Sequence, residues 1–354
     1  MNVQTQLNRL MAKAVGPLPP EHPRVKIGKV GILLINLGTP DGTDFRSMRR
    51  YLQEFLTDKR VIEWPKALWY PILYGIVLNV RPGRIGKAYE EIWNHELDES
   101  YLRTYTRSQA EKLGETLTDH ENIVVDWAMR YGNPSIKERM EHLMAEGCDR
   151  ILAFPLYPHY SAATTATVND KVFEVLQNTR FQSALRTVPS YHDEPVYIEA
   201  LARSLETHLS KLDFEPERVI ASYHGIPQSY FKRGDPYHCH CHKTSRLLEQ
   251  RLGWEKGRLM TCFQSRFGPE EWLQPYTDKT LEALPSQGVK SVAVFNPGFV
   301  SDCLETLEEI AGEGHEIFEE AGGENFTYIP CLNDSEDGMA VIETMVRREL
   351  QGWV

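Results

Sequence analysis

The chain has 354 residues, 41% of them hydrophobic and 25% charged, enough for one large or two modest globular cores. A formal net charge of −11 argues against nucleic-acid binding, because phosphate contacts need clustered Lys and Arg. Six cysteines, with no secretory signal in the sequence, read as reduced thiols of a cytoplasmic protein rather than as a disulfide framework.

Residues 1–28 hold Gly16-Pro17-Leu18-Pro19-Pro20 and no continuous apolar core, and read as a loose arm. Val30 to Asn36 is a buried-strand pattern closed by Gly38-Thr39-Pro40. Trp64 to Val80 is the most apolar stretch, but Pro65, Lys66, Pro71 and Asn79 interrupt it, so it falls short of the ~18 apolar residues of a membrane span. Its Trp64, Trp69, Tyr70 and Tyr74, followed by Arg81 and Arg84, read either as core or as an exposed apolar lip with a basic rim. We expect a mobile lip over 64–84, with the prolines breaking any continuous helix.

Further strand patterns follow at Ile123 to Val125, Arg150 to Pro155, Arg218 to Ser222 and Ser291 to Phe295, with a weaker one at Arg258 to Thr261. Helical patterns lie between them, at Ile136 to Ala145, Ala163 to Gln177 and Pro195 to Lys211. Apolar strands separated by amphipathic helices imply α/β architecture, with parallel sheets covered on both faces. The series is long enough for two such units, with a break near Thr187 to Glu194.

Parallel sheets bind ligands beyond the carboxyl ends of their strands. The unusual residues lie there: Asn36 and Leu37, Arg130 and Tyr131, Tyr157 to Ser161, His224 to Pro227, and Pro297 to Phe299. His224 ends an apolar strand before a Gly-containing turn, which suits either proton and metal chemistry or a backbone-bonded turn histidine. In Ser301 to Glu313, an α-helix would stack Glu305, Glu309 and Glu313 at four-residue steps. That stripe is either a solvated acidic face or a path for a hard or borderline cation. Dense His and Cys in His238-Cys239-His240-Cys241-His242 read either as a metal site or, since the separated ligand pairs of a structural zinc site are lacking, as a polar helix lead-in. Arg130 offers a fork for a carboxylate. There is no phosphate-binding glycine pattern and no Gly-x-Ser-x-Gly elbow.

From about residue 29 onward the chain resembles the ferrochelatase family. The resemblance rests on Leu34 to Pro40, Phe154 to Ser161, Ser222 to Pro227, Phe263 to Pro269 with Trp272, and Ser301 to Leu307, in that order. It implies two similar Rossmann-like, chelatase-type domains: 29–190 with the porphyrin-side lip, and 191–330 with the catalytic histidine and acidic helix, followed by a C-terminal helix in 331–354. Also implied are His224 as active-site histidine, Glu305 as its paired carboxylate, Glu309 and Glu313 as further metal-guiding acids, and Asn36, Leu37, Arg130, Tyr131 and Trp272 along the macrocycle.

The activity so implied is insertion of Fe(II) into protoporphyrin IX to form protohaem. Within the family, coproporphyrin as substrate, or cobalt or nickel as the metal, are the alternatives. A non-catalytic haem or porphyrin carrier is the alternative of another class. Iron enters as substrate and no tightly bound cofactor is expected. Two departures stand out: Cys303 replaces a histidine found in many relatives, and the cysteine-rich tail that carries a [2Fe-2S] cluster in animal members has no counterpart, so that cluster is not expected. The expected setting is the cytoplasm, with possible peripheral contact with the inner membrane and a monomeric or weakly dimeric state.

Overall fold

The computed structural model describes residues 28–354; the expected N-terminal arm lies almost wholly outside them. Two four-stranded parallel sheets follow one another along the chain. The first is built from β1 (Lys29–Thr39), β2 (Ile123–Gly132), β3 (Cys148–Pro155) and β4 (Ala184–Thr187), in spatial order β2-β1-β3-β4. The second contains β5 (Arg218–His224), β6 (Leu259–Gln264), β7 (Ser291–Phe295) and β8 (Asn325–Ile329), in order β8-β7-β5-β6.

Alternation along β1 explains why its apolar run is nearly unbroken. Val30, Ile32 and Leu34 enter one core, while Leu33 and Ile35 enter another on the opposite face. The second sheet repeats this: Val219, Ala221 and Tyr223 face the first core, and Ile220 packs with Val292 and Val294 behind. One apolar core therefore draws on both sheets. Between them lie helix Pro195–Leu209 and the C-terminal helix Glu336–Glu349, which contributes Val341, Ile342, Met345 and Val346.

Local chemistry fixes the helix starts. Asp44, Ser100, Ser135 and Ser335 each accept from first-turn amides of the helices they precede. Pro195 opens its helix at the position where a missing N–H costs nothing.

The expected break at the prolines does not occur. Helix runs from Lys66 to Glu91 through a π-turn at Leu73–Val77, with Pro71 and Pro82 inside it. The widened turn absorbs the lost main-chain bonds, and Asn79 Nδ2 donates to the carbonyls of Tyr74 and Gly75. Nor is the segment all lip. Trp69 is buried among Leu56, Leu73 and Tyr131, its indole N–H donating to Leu56 O at 2.7 Å. On the outer face Leu68, Ile72, Ile76 and Val80 recur every four residues and are 38–68% exposed.

Candidate functional site

His224 is the last residue of β5 and pairs in register with Gln264, the last residue of β6. The chain then turns sharply. Gly225 N donates to Gln264 O at 2.8 Å, and a Cβ at Gly225 would stand 2.9 Å from that oxygen and 3.1 Å from the Trp272 ring, so glycine is required by close approach. Trp272 is held against this turn by bridging Pro227, and its ring centre lies 6.4 Å from that of His224. Its indole N–H is buried without a hydrogen-bond partner. His224 Nδ1 lies 2.7 Å from Gly225 O, which makes it the protonated nitrogen of the neutral ring and leaves Nε2 as the acceptor.

The acidic segment departs from the expected α-helix. Leu304–Thr306 makes a single short turn and Leu307–Gly314 is a π-helix. With i→i+5 bonding, the strict four-residue ladder of Glu305, Glu309 and Glu313 gives way to a wider grouping that adds Glu308, five residues before Glu313. Burial, then Glu313, Glu309, Glu91 and Glu305 in turn, push the Glu308 carboxyl up to about 7. Glu309 turns inward. It accepts from Ser265 N at 2.8 Å, from the Ser265 hydroxyl and from Gln264 Nε2 at 3.2 Å. Burial raises its pKa, while Ser265, His224 and Gln264 pull it back. Glu313 is exposed.

Gln264 is the hub that sequence reading left without a role, although it stood inside a quoted motif. Its Oε1 accepts from Ser222 Oγ at 2.7 Å and Asn296 Nδ2 at 2.6 Å, which fixes the amide orientation. Its Nε2 donates to Glu305 O at 2.6 Å as well as to Glu309. His224, Gln264, Glu305, Glu309 and Trp272 thus form one group at the carboxyl edge of the second sheet.

Asp302 pins the start of the acidic segment. Buried at 3% exposure, it accepts from Thr306 Oγ1, the Tyr328 hydroxyl, Cys331 N and Asn333 Nδ2. Cys303 next to it is buried, its thiol pushed up by burial and then by Glu305, so it stays neutral.

The first sheet supplies a wall with its polar groups largely engaged in-house. Arg130 Nε bonds Thr167, and its Nη2 pairs with Asp58. Tyr131 is fully buried, its hydroxyl donating to Asp58 at 2.9 Å. Asn36 is also buried and donates to Thr106 Oγ1 at 3.1 Å. Leu37 is half-buried in the apolar cluster that also receives Leu304, next to Glu305. Gly38, at φ +114°, lets β1 pass β2 where a Cβ would overlap Tyr131 O. Arg81, expected on the rim, lies over the Phe267 ring at 4.2 Å, and Trp64 Nε1 reaches Glu270 at 3.3 Å, so the 66–91 helix meets the loop that precedes Trp272. No helix among the described residues is long and apolar enough to cross a membrane.

A family model described as Ferrochelatase matches residues 29–350. The protein named Ferrochelatase from Allorhizobium ampelinum is 70% identical over 344 residues, 97% of this chain and all of that one. Its namesake from Agrobacterium fabrum is 68% identical over the same shares. Among solved structures, SirB from Bacillus subtilis with Fe3+ superposes with a TM-score of 0.53 at 12% identity, over 90% of this chain and 95% of that one, a likeness of fold alone.

Proposed function

Because the chain belongs to the ferrochelatase family and makes protohaem by inserting ferrous iron into a porphyrin, we propose that His224, Glu305 and Glu309 carry the insertion, with protoporphyrin IX as the macrocycle. The observation that carries this reading is the clamp of Gln264 and Ser265 on Glu309 beside His224. It holds the Glu309 carboxyl and the main chain of Glu305 beside His224 at the carboxyl edge of the second sheet.

Iron cannot enter the ring while both pyrrole protons remain, so the site needs a base close to the ring nitrogens. His224, free at Nε2, accepts the first proton and passes it to Glu305 or to solvent before accepting the second. Glu305 stands at the start of the acidic segment, and Glu308 and Glu313 extend it outward. Hydrated Fe2+ exchanges water for carboxylate oxygens along this line and reaches His224 partly dehydrated. Trp272 and Leu37, both half-buried, offer apolar surface to a flat ring. With Arg130 held by Asp58 and Thr167, its part is to brace the wall through Tyr131 rather than to grip a propionate with a free fork.

The exposed stripe Leu68, Ile72, Ile76 and Val80, with Lys66, Arg84 and Lys87 on the same helix, supports a second reading: peripheral contact with the inner membrane, from which an apolar porphyrin would be taken up. Anaerobic incubation of the purified protein with protoporphyrin IX and Fe2+ tests the main reading. Appearance of the haem spectrum, catalytic in protein, supports it, and stoichiometric porphyrin binding without turnover overturns it.

A further inference from the structure

Outside the cleft, His238-Cys239-His240-Cys241-His242 forms the first turns of helix Tyr237–Leu252, and helical geometry sends its side chains to different faces. Cys241 is fully buried, and His240 stacks on His192 with ring centres 3.6 Å apart, so both are spent on packing. His238 and His242 remain. They are four residues apart on one face, with ring centres 4.4 Å apart and planes tilted by 53°. Phe231 lies 4.9 Å from the His238 ring, and Phe263 lies about equally far from both imidazoles, at 6.1 and 6.0 Å. Both are half-buried, and among the described residues neither imidazole nitrogen has a hydrogen-bond partner.

We infer that His238 and His242 form a two-imidazole site for one divalent first-row transition cation of borderline softness, such as Ni2+, Co2+ or Zn2+, distinct from the path of the substrate iron. Two imidazoles on one ion each hold a nitrogen about 2.0–2.1 Å from it, so the nitrogens must stand ~3 Å apart. Tilted rings at 4.4 Å between centres reach that spacing by side-chain rotation. Water completes the coordination, since no group of three or more His, Cys, Asp or Glu among the described residues could close around a metal. The neighbouring phenylalanines withhold solvent from the rings, and that burial lowers both pKa values, so each imidazole is neutral at pH 7 with a lone pair to give. Phe263 and Gln264 are consecutive in β6 and point to opposite faces of the sheet, so the pair sits behind the strand whose front holds Glu309.

The test is calorimetric titration of the metal-stripped full-length protein with Ni2+ in excess Mg2+, which keeps carboxylates occupied by the harder ion. The wild type should bind one Ni2+ equivalent more than the double variant His238→Gln/His242→Gln, while iron insertion is the same in both. In case the variant folds poorly, diethyl pyrocarbonate modification of the wild type gives a second measure: one equivalent of Ni2+ should protect His238 and His242 and leave His224 reactive. Equal stoichiometry in a folded double variant, or absence of protection, overturns the inference.

Discussion

The amide nitrogen of Gln264 donates to the main-chain oxygen of Glu305 at 2.6 Å, tying the end of a strand in the second sheet to the first turn of the acidic segment. Gln264→Glu places a carboxylate against that carbonyl and against Glu309. The expected outcome is a fall in kcat of at least tenfold with the circular dichroism spectrum unchanged. Gln264→Leu should in addition lose about 1–3 kcal/mol of stability, because Ser222 and Asn296 are left buried without their acceptor. Steady-state kinetics with a urea titration of each variant separates the two effects.

His224→Ala should abolish metal insertion while porphyrin affinity, followed by fluorescence quenching, stays within a few-fold. The imidazole is the proposed proton acceptor, and the change leaves the apolar side chains of Leu37 and Trp272 in place. Near-wild-type turnover would remove His224 from the mechanism.

Glu308 makes the iron step depend on pH. Its carboxyl ionises near 7 in the folded protein against 4.5 in the free residue, so negative charge for Fe2+ is gained across that interval and KM for iron should fall as pH rises through about 7. In Glu308→Gln that pH dependence should flatten. Stability responds in the opposite sense. A raised acid pKa favours the folded state below pH 4.5, and this contribution is lost as pH rises through about 7. The Gln variant should therefore be more stable than the wild type at pH 8, by about 1 kcal/mol after allowing for solvent screening, and equal to it at pH 4.5. Melting temperatures at the two pH values check this.

Trp69 and its exposed neighbours should behave in opposite ways. Trp69→Ala empties a core site and loses the bond to Leu56, at a cost of about 3–5 kcal/mol. Leu68→Ser with Ile76→Ser and Val80→Ser should change the melting temperature little and reduce co-sedimentation with anionic liposomes. A triple variant that sediments like the wild type rules out that face as the membrane contact.

The central strands were legible because burial on both faces writes an unbroken apolar run, as in Val30 to Ile35 and Ser291 to Phe295. Two strands left no such mark. Ala184–Thr187 and Asn325–Ile329 are sheet edges, partly exposed and mixed in character. Helix Ile136–Ala145 matches its pattern residue for residue, since a serine cap and an apolar stripe agree there. The π-turns were illegible: the prolines around Leu73–Val77 pointed to a broken helix, and α periodicity over Leu307–Gly314 hid Glu308. His224 and Glu305 could be picked out by position and charge. Gln264 could not, because an amide announces itself only through its partners, and these come from three separate segments.

The C-terminal helix also bears on how the protein is made. Gln109 in the first half bonds Ser301 and the Asn333 carbonyl, Arg347 reaches back to the Thr116 carbonyl, and Arg150 and Arg186 bond carbonyls of Trp353, Glu349 and Gln351. A ribosome delivers these partners last. The nascent first sheet therefore leaves the exit tunnel with its Val30, Ile32 and Leu34 face covered only by Ala110, Leu113 and Leu117 of the first half, and that core is completed only when more than 300 residues of chain have emerged. In the cell, that interval is the window in which a holding chaperone has the most to shield and in which early termination yields a sticky fragment rather than a folded half.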